Sequence, residues 1–467
     1  MDTHFLELME LAAHLRGREV SSLDVTRAQL DRIAALDGAL CSYAHVTADA
    51  ALAQAEAADA EMAAGRYRGP LHGVPIAVKD LCWTEGIPTA AGMAVHAGHR
   101  PTEDATVVRR LKEAGAVLLG KLQLTEAAYA DHHASIVPPK NPWDAEAWPG
   151  MSSSGSGVAT AAGLCHGSLG SDTGGSIRFP CAANGVTGLK PTWGRVSRYG
   201  VFELAASMDH IGPIARSAAD AGAMLRVLAG DDPKDPTASL EPVPDYLAGA
   251  SRGVHRLRIG IDEAWTDDVA PETKGMLAGA IEAFAALGAD LVPVRFPEVT
   301  QAIADWFPIC AVEAAVAHEA TYPARKSEYG PVFAQVLEDG RALSATAYQK
   351  VLLRRMHFRG LVDAVLDAID LLLLPVHPFA PPTLADMTAL GGRPELVTRL
   401  LRYTCPFDMT GHPSLTLPGG FTPGGMPLAF QLVAKSYDEA TLIRAGVAFQ
   451  GVTSWHRRHP ALLEGRA

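Results

Sequence analysis

Between Trp148 and Gly200 the chain reads WPGMSSSGSGVATAAGLCHGSLGSDTGGSIRFPCAANGVTGLKPTWGRVSRYG, and no other stretch is as crowded with glycine, serine and small residues. Glycine serves where backbone must approach another group closely or adopt positive φ, and serine is the smallest side chain that can become a nucleophile. Two clusters stand out, Gly150–Gly157 and Gly170–Ser176. The small apolar residues between them predict a tightly packed helix followed by a buried strand, an arrangement that brings both clusters to one edge of a sheet. An isolated SSSGSG would read as a flexible linker. Here an apolar helix-strand unit follows at once, and then GSDTGGSIRFP, in which Asp172 and Arg178 flank Ser176.

These motifs, with GPLHGVPIAVKD upstream and PFDMTGHPSLTLPGGFTPGGMPLAFQLVAKSYDEATLIRAG downstream, resemble those of the amidase signature enzymes, serine hydrolases with a Ser-cisSer-Lys triad. The resemblance covers most of residues 60–230 and 365–450 and implies an α/β fold: a twisted mixed β-sheet covered by helices on both faces. It implies that Ser176 forms the acyl-enzyme, that Ser152, preceded by a cis peptide, relays the proton, and that Lys79 is the base. The chain departs from the common GGSSGGS pattern at Met151 and Ser154, and LQLTEA lacks the asparagine and phenylalanine often found after the GK of relatives.

Amide hydrolysis needs donors aimed at a developing oxyanion as well as a nucleophile and a base. The small residues Thr173, Gly174 and Gly175 before Ser176 leave backbone N–H groups free to converge, so residues 173–176 form the expected oxyanion hole. A lysine at its ordinary pKa of about 10.4 is protonated and useless as a base. The apolar VPIAV run before Lys79 predicts a buried strand, and desolvation there would lower that pKa. Met151, Ser153, Tyr129 and Trp148 are the expected substrate-binding side chains, with Trp143, Trp306 and Phe333 as further aromatic candidates.

Other chemistries fit poorly. The only P-loop-like match, Gly115 to Lys121, has Leu122 where magnesium needs Ser or Thr, and a β-prone AVLL in the loop. No GxSxG elbow and no SxxK is present. Adjacent His132 and His133 lack the HExxH spacing and read as rim residues, so neither a metal nor a cofactor is expected. The formal charge of −12 opposes binding to nucleic acid or anionic lipid. Six scattered cysteines without a CxxC pair, and an N-terminus without signal-peptide character, predict buried free thiols in a cytoplasmic protein with no membrane span.

Along the chain, residues 1–65 predict a helical lead-in packed on the core, with a first helix capped by Thr3, a second by Ser21 or Ser22, and an alanine-rich third over 47–64. Residues 66–467 predict a single α/β domain: a helix capped at Asp104, a loop over 122–149, a turn then a helix after Met208, a mainly helical segment over 300–360, and a loop over 380–400. The expected function is metal-free hydrolysis of an amide, anilide, ester or carbamate in a small, largely apolar substrate; a homodimer is compatible with it. The alternative is an amidotransferase A-type subunit that hydrolyses glutamine beside a tRNA-binding partner.

Overall fold

Short apolar runs bounded by glycine and proline form the frame. In the computed structural model, which describes residues 3–389 and 393–461, the strands are β1 (Tyr43–Val46), β2 (Pro75–Lys79), β3 (Val117–Leu122), β4 (Gly167–Asp172), β5 (Thr187–Lys190), β6 (His210–Ala215), β7 (Arg258–Ile261), β8 (Asp290–Pro293), β9 (Leu371–Pro375), β10 (Ser414–Phe421) and β11 (Pro427–Val433). They make one mixed sheet in the order β1-β3-β2-β4-β6-β5-β10-β11-β9-β7-β8. β2 runs parallel to both β3 and β4, and β7 is parallel to β8 and β9, whereas the centre from β4 to β9 is antiparallel throughout.

Side-chain alternation along the strands puts a core on each face. On β2, Ile76 and Val78 join the main cluster while Ala77 joins a second; on β3, Leu118 joins the first while Val117 and Leu119 join the second. Helices therefore cover both faces, and strands such as the LLLLP of β9 are apolar without interruption because neither side meets water. The second cluster is closed by Ile33, Leu36 and Leu40 of the helix Ser22–Leu40 and by Ala51 and Ala55 of the helix Ala48–Ala63.

Several local expectations are corrected. The first helix spans Leu8–Gly17 and is closed by Glu7 and Glu10, not by Thr3, whose carbonyl instead accepts from His166 Nε2 at 2.8 Å. The lead-in holds more than helices, since β1 pairs antiparallel with β3 and forms an edge of the sheet. Asp104 does not cap the helix Thr106–Glu113; it accepts from the Glu85 amide at 2.8 Å and pairs with Lys112. The predicted turn after Met208 is strand β6, ahead of the helix Ala218–Leu228. The predicted 380–400 loop contains two helices, Leu384–Thr388 and Pro394–Leu401.

Candidate active site

β2 and β4 lie side by side and parallel, so their C-terminal ends, Lys79 and Asp172, emerge at the same edge of the sheet. The helix Ser154–Ala161 precedes β4, and the segment leading into it carries Ser152 and Ser153 to that edge. Gly155 and Gly157 let this helix approach the backbone of Ser42 and Gln123 and the ring and carbonyl of Pro180, where any Cβ would collide. The two glycine-serine clusters thus meet, as the small residues between them predict.

Lys79 is fully buried. Its Nζ lies 2.7 Å from Ser152 Oγ, 2.9 Å from Ser153 Oγ and 2.8 Å from Ser171 Oγ. No carboxylate among the described residues touches it. Burial pulls its pKa from 10.5 down to about 7, with Cys82, Asp172 and Asp209 acting the other way. A protonated Nζ would donate to all three hydroxyls, whereas a neutral one can donate to two and accept from the third. That exchange is what a base in contact with a relay hydroxyl requires.

The Met151–Ser152 peptide is cis. Ser152 is buried, its carbonyl accepts from the Thr125 amide at 3.3 Å, and the Ser153 amide donates to the Ser176 carbonyl at 3.3 Å, which clasps the two serine segments together. Ser153 is an expected substrate-binding side chain, and the structure corrects this: its hydroxyl takes Nζ of Lys79, donates to the Ser171 carbonyl at 3.2 Å and accepts from the Ser171 amide at 3.2 Å, so it belongs to the bed beneath the lysine.

Ser176 follows β4 in the turn that leads into the helix Arg178–Asn184 and is 9% exposed, buried but not sealed. The turn is organised from below by Asp172. Its carboxylate accepts from the amides of Gly175 at 2.6 Å, Ile177 at 3.0 Å and Arg178 at 3.3 Å, and from the Arg178 guanidinium at 2.9 and 3.0 Å. Burial opposes ionisation of Asp172, but the Arg178 charge and these donors hold its carboxyl well below the usual range. Arg178 is shared with Asp408, 2.5 Å away on the helix Cys405–Thr410; burial and the neighbouring Asp172 push the Asp408 carboxyl up.

This arrangement corrects the expected oxyanion hole. The Gly175 N–H is committed to Asp172 and points into the protein, so Gly175 contributes its φ of 139° and its lack of a side chain, not a free donor. The amides of Thr173, Gly174 and Ser176 donate to no acceptor among the described residues and are left for a ligand.

The expected pocket aromatics separate into two groups. Tyr129 stacks on Trp306 (6.2 Å between centroids, 11° between planes) and contacts Phe333 at 6.1 Å. The Trp306 indole lies against Gly174 and donates to the Thr173 carbonyl at 2.7 Å, which brings this wall to the turn that carries Ser176. Met151 is half-buried beside Ser152. Trp148, by contrast, is buried behind Phe179, 5.8 Å between centroids, and Phe179 is the ring that covers Gly175; Trp148 therefore supports the turn one side chain back. Trp143 donates to the Asn184 carbonyl and packs on Phe421, as a structural residue. His132, which burial pushes down to about 4, contacts Ser154 Oγ at 3.1 Å. Lys121 of the P-loop-like match is buried on β3, donating to the Cys82 carbonyl and Thr89 Oγ1. Among the described residues no three His, Cys, Asp or Glu side chains gather as metal ligands.

Sequence reasoning missed Ser171, Thr404 and Asp408. Ser171 could have been found from the strand end it shares with Asp172, beside Lys79. Thr404 and Asp408 lie 230 residues downstream of Gly174 and Arg178, the turn residues they hold, and nothing local marks them.

A family model described as Amidase matches residues 24–443. AmiD of Mycobacterium tuberculosis, an amidase by name, is 51% identical over 97% of this chain and 96% of its own length. The A-type subunit of the glutamyl-tRNA(Gln) amidotransferase of Chloroflexus aurantiacus is 38% identical, covering 99% of each chain. Among solved structures, the native peptide amidase of Stenotrophomonas maltophilia superposes with a TM-score of 0.86 at 31% identity, covering 98% of both chains.

Proposed function

The chain belongs to the amidase family, and from that premise we propose that it hydrolyses carbon–nitrogen bonds of small, largely apolar amides through a Ser176 acyl-enzyme. The observation that carries the reading is the buried Lys79, free of any carboxylate contact among the described residues and in reach of Ser152 Oγ. Neutral Lys79 takes the Ser152 proton as Ser152 takes that of Ser176. The Ser176 Oγ then bonds to the substrate carbonyl carbon, and the oxyanion meets the free amides of Thr173, Gly174 and Ser176. Collapse of the tetrahedral intermediate breaks the C–N bond, and the relayed proton leaves on the amine. Water repeats the sequence on the ester, releasing the acid and restoring Ser176. An anilide or ester follows the same path; a carbamate adds loss of CO₂ after deacylation.

The apolar wall of Tyr129 and Trp306, with Met151 at the mouth, favours alkyl or aryl groups, each buried side chain contributing about 1.5–3 kcal/mol. The second reading, a glutamine-hydrolysing subunit with a tRNA-binding partner, draws on the full-length similarity to the amidotransferase chain. A charge of −12 weighs against it, because a tRNA phosphate backbone would be repelled. The test compares kcat/KM for glutamine, a neutral anilide and an aryl carbamate, with Ser176→Ala as control. The neutral substrates should win by at least about tenfold and Ser176→Ala should turn over none of them. Preference for glutamine, copurification with a tRNA-binding protein, or a Ser176→Ala chain with a few tenths of native activity would overturn the reading.

A further inference from the structure

Trp306 sits on the helix Thr300–Ala317, 133 residues downstream of Thr173, yet it is the side chain that grips the nucleophile turn from above. Each carbonyl of residues 173–176 is held. That of Gly174 accepts from Thr404 Oγ1 at 2.6 Å, that of Gly175 from the Phe179 amide at 2.7 Å, and that of Ser176 from the Ser153 amide. The Thr173 carbonyl accepts from the Trp306 indole N–H at 2.7 Å. In a planar trans peptide the C=O and the following N–H point in opposite directions. Drawing the Thr173 carbonyl toward Trp306 therefore turns the Gly174 N–H away from the helix, and that N–H is one of the amides without an acceptor among the described residues. The same indole also covers the Gly174 Cα: a Cβ there would lie 2.8 Å from Cζ2 and 3.0 Å from Cε2. Gly174 does not have a positive φ, so the indole, not the backbone angle, is what demands glycine at this position.

We propose that Trp306 is a positioning residue for the oxyanion hole: its indole N–H fixes the Thr173–Gly174 peptide so that the Gly174 amide faces the reacting carbonyl. The proposal rests on the acyl-enzyme reading above and adds a residue that no signature motif contains. It also couples the apolar wall to the hole, because Tyr129 stacks on the ring whose edge sets the amide. A substrate group pressed against Tyr129 thus bears on the geometry that stabilises its own oxyanion.

The test uses an alkyl fluorophosphonate, whose attack by Ser176 places a P–O oxygen in the hole and needs no knowledge of the natural substrate. Trp306→Phe keeps an aromatic wall and removes the donor. Its limiting labelling rate at saturating reagent should fall at least about tenfold, less than the roughly 10²–10³-fold that outright loss of one hole donor costs because the Gly174 amide is misdirected and not removed, while the half-saturating concentration stays within about twofold. For any amide the enzyme turns over, kcat should fall by the same factor with KM held. Gly174→Ala in the otherwise native chain approaches the contact without altering the aromatic core and should lose labelling comparably. In the Trp306→Phe background, where the clashing indole atoms are gone, the same Gly174→Ala change should cost less. A Trp306→Phe chain that labels within twofold of native, or one whose loss lies wholly in half-saturation or KM, would overturn the proposal and leave the acyl-enzyme reading standing. A Gly174→Ala chain with native labelling would do the same. Failure of the native chain to label at Ser176 would instead remove the acyl-enzyme reading, and the proposal with it.

Discussion

In the proposed mechanism Lys79 serves as the base because it is denied a counter-ion. Its contacts are three serine hydroxyls, and burial lowers its pKa to about 7. In that mechanism the neutral form is the base, so the working fraction grows as pH rises, and activity should climb through a limb near pH 7 that belongs to the free enzyme in kcat/KM. Lys79→Ala should lose both the activity and the limb, and Lys79→Arg should not restore it, because guanidinium keeps its proton. A pH–rate profile unchanged in an active Lys79→Ala chain would refute the role. At this scale much was legible. The motif resemblance named Lys79, Ser152 and Ser176, and the structure places Lys79 Nζ 2.7 Å from Ser152 Oγ. What could not be read was where hydroxyls and amides point. Ser153 lies one residue past the relay serine and looks free in sequence; only the fold shows its hydroxyl spent on Lys79 and Ser171. Gly175 looks like a hole donor until Asp172 is seen to hold its N–H.

The turn that carries Ser176 works as an element because a buried carboxylate organises it from inside. Asp172 accepts three turn amides and the Arg178 guanidinium, and Arg178 extends the hold to Asp408 and to the Thr404 carbonyl. All three charged side chains are fully buried. Asp172→Asn keeps the shape, weakens the acceptor and leaves Arg178 short of one negative charge. Removing one partner of a buried ion pair costs about 3–5 kcal/mol, so the variant should melt measurably lower and label slowly at Ser176. An unchanged melting temperature together with native labelling would show that the turn holds its shape without the charge. Elements set by hydrophobic period were readable: β2, β3, β9 and the long helices of 300–360 lie where apolar runs predict them. Elements set by partners were not. β6 reads as a turn because HIGPIA carries glycine and proline, and it is a strand because β4 and β5 flank it on both sides. The helices Leu384–Thr388 and Pro394–Leu401 are only five and eight residues long, too short for a period to show.

At the scale of the whole molecule, the sheet decides which parts can be separated. A helical lead-in packed on a finished core could in principle be removed. The lead-in here supplies β1, which covers the outer edge of β3, the strand whose other edge pairs with the lysine-bearing β2. Its Ile33, Leu36, Leu40 and Tyr43 close the second hydrophobic cluster over Val117, Leu119 and Leu164. At about 1.5–3 kcal/mol for each large side chain, those four alone contribute about 6–12 kcal/mol, which rivals the roughly 5–15 kcal/mol net stability of an ordinary domain. Polar ties add to this, since Tyr43 donates to the Leu164 carbonyl at 2.9 Å, Arg32 donates to the Ala162 carbonyl at 2.9 and 3.0 Å, and Gln29 donates to that of Gly163. Those carbonyls directly follow the helix Ser154–Ala161, which itself follows the segment carrying Ser152, so the lead-in braces the unit that holds Ser152. A chain of residues 66–467 should therefore aggregate on expression, show no cooperative thermal transition and fail to label at Ser176. A soluble 66–467 chain with a cooperative melt and native labelling would mean that the lead-in is an accessory after all, and that the sheet closes stably at β3.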